Sequence, residues 1–127
     1  MKTEIEKHKR ILVVDDEEVI LRLLVRLFKN SDYDLVTANS VKDGISKLND
    51  SDFQLLLTDL RMPDGKGTDV MRHFKEKFPL SKMIIMTGSL EPQNDIDMAA
   101  DLKIETYLAK PFDLDAVRAT IRKALND

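Results

Sequence analysis

Ile11-Leu12-Val13-Val14-Asp15-Asp16 opens with four apolar residues and stops on two acids. An unbroken apolar run of this length reads as a strand buried on both faces, which is what a parallel sheet covered by helices requires. Three further runs end on residues with phosphoryl-transfer chemistry: Leu55 to Leu57 runs into Thr58-Asp59, Met83 to Met86 into Thr87, and Tyr107 to Ala109 into Lys110-Pro111. In an open parallel sheet every strand points the same way, so residues just past the carboxyl ends share one crevice, where such folds bind ligands. Three carboxylates, a hydroxyl and an ammonium are expected to meet there.

The segments between these runs carry helical periodicity, and five strand-helix pairs can be counted, the signature of βα units. After the first strand, Val19, Ile20, Leu23, Leu24, Leu27 and Phe28 form the expected inward stripe of a helix. Tyr33 to Ala38 is the second strand, and Ser40 caps a helix carrying Val41, Ile45 and Leu48. Phe53 to Thr58 is the third strand. Met62-Pro63-Asp64-Gly65-Lys66-Gly67 is a turn-rich loop, after which Thr68 is expected to cap a helix with Val70, Met71, Phe74 and Phe78 inward, stopped by Pro79. A helix led by Pro92 runs to about Ala100, Ile104 to Ala109 is the fifth strand, and Asp113 caps a last helix with Leu114, Val117, Ile121 and Leu125 on one face.

At 127 residues the chain fits one domain. Hydrophobic residues make up 43% and charged residues 34%, which suits a globular domain and not a disordered one. The net charge of -3 gives no sign of direct nucleic-acid or membrane binding, either of which leaves a basic patch. Zero cysteines exclude disulfides and thiolate metal sites. Residues 1–9 read as a flexible charged lead-in and not a signal peptide, residues 10–127 as the domain, and a cytoplasmic location is expected because no apolar stretch can span a bilayer.

Taken singly, each strand-end residue has an ordinary explanation. Glu17 and Glu18 suit a helix start through the dipole, Asp59 could open an Asx-turn, Thr87 could satisfy a loop amide, and Lys110 could be a solvated lysine. Asp15 fits less easily, since it abuts a buried run where an unpaired charge is costly. Their conjunction carries the argument. Oxygen ligands suit a hard cation such as Mg²⁺ on Asp15, Asp16 and Asp59, with Mn²⁺ as a substitute. A carboxylate such as Asp59 can be a covalent nucleophile towards phosphorus, and Lys110 would pair with a phosphoryl oxygen. Pro111 biases Lys110 away from helix, and a cis bond there would aim the lysine.

With these residues in view, the chain resembles the receiver domains of two-component response regulators over nearly its whole length from Arg10. The matching segments are Ile11 to Glu17, Asp59-Leu60-Arg61-Met62-Pro63-Asp64-Gly65-Lys66-Gly67, Met86-Thr87-Gly88 and Tyr107-Leu108-Ala109-Lys110-Pro111-Phe112. The resemblance implies a single-domain α/β fold: a doubly wound five-stranded parallel sheet, (βα)5 in order 2-1-3-4-5, with helices on both faces. It implies that Asp59 takes a phosphoryl group from a phosphohistidine on a sensor histidine kinase or histidine phosphotransfer protein. Asp16 and Asp59 would be direct Mg²⁺ ligands, Asp15 would act through water, and the backbone carbonyl of Arg61 would complete the set. Thr87 and Tyr107 would be a switch pair that reshapes the face of the fourth helix, fifth strand and fifth helix. A downstream protein or an appended output domain would read that face, and a homodimer formed on phosphorylation is compatible with it.

Two departures from the family pattern stand out. Lys103-Ile104 replaces the Gly-Ala pair that commonly ends the fourth helix, removing the residue that most easily takes a left-handed cap. Arg61 and Ser89 occupy the positions that tune phosphoryl lifetime, and neither is a carboxylate or amide that readily orients water, so a long-lived phosphoryl state is expected. Two rivals remain. A phospho-independent, receiver-like interaction module is disfavoured because no site residue is missing. An Asp-nucleophile phosphatase would want a second acid two residues after Asp59, where Arg61 stands. A nucleotide-binding glycine loop is absent, and neither His8 nor His73 suits a phosphohistidine role. The chain ends soon after its last helix, which fits both a stand-alone regulator and the receiver part of a longer protein.

Overall fold

A computed structural model describes residues 9–88 and 92–125, apart from the side chains at 92, 95 and 98. Most of the lead-in, with His8, and Ser89, the position expected to tune phosphoryl lifetime, lie outside the described residues. Five strands form one parallel sheet: β1 (Lys9–Val14), β2 (Tyr33–Ala38), β3 (Leu55–Asp59), β6 (Lys82–Thr87) and β7 (Thr106–Ala109). Two short strands, β4 (Arg61–Met62) and β5 (Gly65–Lys66), pair antiparallel within the loop after β3. The sheet order is β2-β1-β3-β6-β7, so the expected doubly wound order is observed, with β6 and β7 as its fourth and fifth strands. The helices are α1 (Glu18–Leu27), α2 (Val41–Asp50), α3 (Gly67–Lys77), α4 (Pro92–Met98) and α5 (Leu114–Ala124).

Successive strand residues point to opposite faces, and this splits the apolar runs between two cores. Leu12 and Val14 of β1, Leu56 of β3, and Met83 and Ile85 of β6 pack with Val41, Leu48, Val70, Met71 and Phe74 from α2 and α3. Ile11, Val13, Leu55, Leu57, Ile84 and Met86 pack on the other face with Leu21, Leu24, Val117 and Ile121 from α1 and α5. No helix among the described residues is long and apolar enough to cross a membrane.

Several element edges differ from the sequence reading. β1 already begins at Lys9, β3 begins at Leu55 with Phe53 buried just ahead of it, and β7 begins at Thr106. α4 stops at Met98, and a 3₁₀ turn, Ala100–Leu102, follows it. Thr68 is not a cap. The N-cap of α3 is Lys66 and Thr68 is buried in the first turn, because the helix starts where Gly67 packs against the β3 end. Ser40 and Asp113 cap as expected, Ser40 Oγ accepting from Asp43 N–H and Asp113 from the amides of Asp115 and Ala116. Val19 is 72% exposed and Leu114 is exposed as well, so neither belongs to an inward stripe. In α1 the inward row is Leu21, Leu24 and Phe28 with Ile20 beside it, and Val19 falls on its outer flank. Lys103 takes the left-handed conformation, φ 56 and ψ 60, without a glycine.

Candidate phosphoryl-transfer site

The parallel register brings the strand ends level. Val14 pairs with Thr58, Asp59 with Met86 and Thr87 with Ala109, so Asp15, Asp59, Thr87 and Lys110 emerge along one edge of the sheet. The strand order reverses between β1 and β3, and this switch point is where a crevice opens. Oxygens of Asp15, Asp16 and Asp59 lie within 4.8 Å of one another. A cleft of about 550 Å³ opens beside them, walled by Asp16, Glu17, Ile20, Asp59, Lys110 and Pro111. A separate apolar groove on α1, along Leu21 and Val25, lies away from these acids.

Lys110 stands at the centre of the site. The Lys110-Pro111 bond is cis, and the Lys110 N–H donates to the Thr87 carbonyl at 2.8 Å, fixing β7 to the end of β6. Its ammonium lies 2.7 Å from Asp15 Oδ2 and 2.9 Å from both Asp59 Oδ2 and Glu17 Oε1. Burial by itself pushes the lysine pKa down, but the carboxylates of Asp15, Glu17 and Asp59 around the ammonium outweigh it and hold the pKa well above the usual lysine range.

Asp15 has no exposed surface. Its Oδ1 accepts the Glu17 N–H at 2.9 Å. Lys110 approaches Oδ2 at ion-pair distance but off the hydrogen-bond direction, and among the described residues nothing else hydrogen-bonds that oxygen. Burial raises the Asp15 pKa, opposed by the Lys110 ammonium and the Glu17 amide. A buried carboxylate oxygen without a hydrogen bond, beside two further carboxylates, fits a hard divalent cation.

Asp59 is set by its own loop: Oδ1 faces the Arg61 N–H at 3.3 Å, and the Thr58 hydroxyl donates to the Asp59 backbone carbonyl at 2.8 Å. Asp16 is exposed on the cleft wall, Thr87 is buried at the end of β6, and Tyr107 is 38% exposed on β7. The sequence reading missed two residues. Glu17 is bonded to Lys110 as well as standing at a helix start. Asp64 reaches from the β4–β5 hairpin to α2, accepting the N–H groups of Val41 at 2.9 Å and Lys42 at 3.1 Å.

A doubly wound parallel sheet with a carboxylate cluster and one lysine at its switch point places the chain among the flavodoxin-like α/β domains. Within that class the family profile of the response regulator receiver domain matches residues 11–122, and the chain belongs to that family. It is 32% identical over 125 residues to the alginate biosynthesis transcriptional regulatory protein AlgB of Pseudomonas aeruginosa, covering 98% of this chain and 28% of that protein. Among solved structures, a CheY-like response regulator receiver domain protein from Methanospirillum hungatei is 27% identical, with TM-score 0.84 over 93% of this chain and 94% of that one. The response regulator TrrA of Thermotoga maritima, solved in complex with Mg²⁺-BeF, is 28% identical, with TM-score 0.78 over 91% of this chain and 98% of that one. The chain spans no more than about three fifths of the first curated relatives, 56%, 28% and 58% of their lengths.

Proposed function

We propose that the chain is the phosphoacceptor switch of a two-component or phosphorelay system, with residues 10–127 as the receiver unit and Asp59 as the residue modified. The observation that carries this reading is the 2.9 Å contact between Asp59 Oδ2 and the Lys110 ammonium, beside the buried acid Asp15 at the switch point of the sheet. An Asp59 oxygen attacks phosphorus in line. The phosphorus–nitrogen bond of the partner's phosphohistidine breaks, and the imidazole leaves with the bonding pair and takes a proton. Lys110 pairs with a phosphoryl oxygen in place of the Asp59 carboxylate.

Asp15, Asp16, Asp59 and the Arg61 carbonyl would hold Mg²⁺, which when bound screens the charge between an anionic nucleophile and an anionic donor. Thr87 closes on the phosphoryl group, and Tyr107 follows it inward. The phosphoryl group thereby favours one of two pre-existing arrangements of the face carrying β7, α4 and α5. The reactions are those of a signalling domain acting on itself. Its donor is a sensor histidine kinase or histidine phosphotransfer protein on the cytoplasmic side, and its output goes to a protein partner or an appended domain.

Incubating the protein with Mg²⁺ and acetyl phosphate and weighing it intact tests the reading. One phosphoryl group on the wild type and none on Asp59→Asn is expected. No added phosphoryl mass on the wild type would leave the phospho-independent module as the better account. After donor removal, slow decay is expected from Arg61 and Ser89. Fast decay, unchanged in variants of those two residues, would remove them from lifetime control.

A further inference from the structure

Lys110 has three N–H donors, and three carboxylate oxygens crowd it at 2.7 to 2.9 Å. Glu17 and Asp59 each accept a hydrogen bond from it, so a phosphoryl oxygen competes with both for the ammonium. Asp15 is sealed from solvent and would be left as an uncompensated buried charge. Asp59 is the reacting carboxylate itself. Glu17 is different: its side chain is 57% exposed, so water can replace the ammonium, and it lines the cleft through which a donor enters.

We propose that Glu17 is a positioning residue for Lys110, a placeholder that occupies the ammonium in the resting site and competes with the incoming phosphoryl group for it. The role rests on the reading of Asp59 as phosphoacceptor and deepens it. Two effects act in the same direction. Glu17 holds a donor hydrogen for which the phosphoryl oxygen competes, and its negative charge on the cleft wall repels an anionic donor. Glu17 is also free of a structural duty at its helix: as N-cap of α1 its side chain makes no capping bond. Its removal therefore leaves the fold alone and speeds the reaction.

The test is the rate of Asp59 labelling by acetyl phosphate at saturating Mg²⁺ in the wild type, Glu17→Gln and Glu17→Ala. Both variants should react roughly two to five times faster at low salt, the size expected for an exposed ion pair. The gain should shrink as ionic strength approaches about 1 M, where exposed charges are screened. A purely structural role for Glu17 would not give a salt-dependent acceleration. Rates equal to or below the wild type at low salt overturn the proposal, as does an acceleration that salt leaves unchanged. A wild type labelled on Asp59 with unresponsive variants sinks only the role of Glu17. A wild type that takes no label sinks the phosphoacceptor reading and this role with it.

Discussion

Gly67 packs closer to the Asp59 backbone than any side chain would allow. A Cβ added there would lie 1.9 Å from the carbonyl oxygen of Asp59 and 2.9 Å from its carbonyl carbon, both backbone atoms that cannot rotate away. The Gly67 N–H also donates to the Leu60 carbonyl at 2.9 Å, so the start of α3 and the end of β3 are one joint. Gly67→Ala should force that joint apart, costing about 1–3 kcal/mol as overpacking does, and should slow labelling of Asp59 because its own peptide moves. Urea unfolding and labelling rates check both; a variant unchanged in each would mean the joint is loose in solution. The residues that fix this geometry differ in how readable they were. Asp15, Asp59, Thr87 and Lys110 announce themselves by following apolar runs. Glu17 does not, because the helix dipole already explains an acid at that place, and its bond is to a residue 93 positions away. Asp64 looks like an ordinary turn residue before glycine. Lys103 contradicts local preference outright: a left-handed non-glycine costs about 1–2 kcal/mol, and the junction from the 3₁₀ turn to β7 imposes it all the same.

At the scale of elements, the Asp64 carboxylate ties the β4–β5 hairpin to the first turn of α2 by accepting two backbone N–H groups. The same helix start is capped by Ser40, so the hairpin that carries the Arg61 carbonyl is clamped to a rigid neighbour. The amides of Val41 and then Lys42 lower the Asp64 pKa below its ordinary 3.8. Because the folded value is the lower one, the clamp's stabilisation is present above pH 3.8 and is lost as pH falls through the folded value. Asp64→Asn should therefore melt below the wild type near neutral pH, with the gap closing below about pH 4. Thermal melts across the acid range measure this, and a gap that stays constant would show that Asp64 holds the hairpin by shape alone. The amphipathic helices were readable because burial follows a period of 3.6. Their flanks were not, because a stripe wider than the contact includes residues such as Val19 and Leu114 that no neighbour covers.

On the scale of the whole molecule, the doubly wound order follows from strands apolar on both sides and from right-handed crossovers between them. The cost of that order is a crevice where four carboxylates, Asp15, Asp16, Asp59 and Glu17, face one ammonium. Without a metal ion these charges repel, and the folded chain bears the repulsion more than the unfolded one does, since folding adds Asp59 to the consecutive Asp15, Asp16 and Glu17 and seals Asp15 from water. Asp16 is exposed, as Glu17 is, but no ion pair or hydrogen bond to Lys110 is seen for it among the described residues. Asp16→Asn should therefore make the metal-free protein more stable than the wild type by about 1 kcal/mol, the trade between stability and function found at functional sites. Mg²⁺ should reverse the ranking. An ion bound only to the folded state at a hundred times its dissociation constant adds about 2.7 kcal/mol, which for a domain of this size is a rise in melting temperature on the order of 10 °C. Asp16→Asn should lose most of that gain. Urea unfolding of both proteins, with EDTA and with Mg²⁺, reads the crossing directly. If the variant is the less stable protein in EDTA, electrostatic strain is not stored in the crevice. If Mg²⁺ stabilises both equally, Asp16 does not hold the ion.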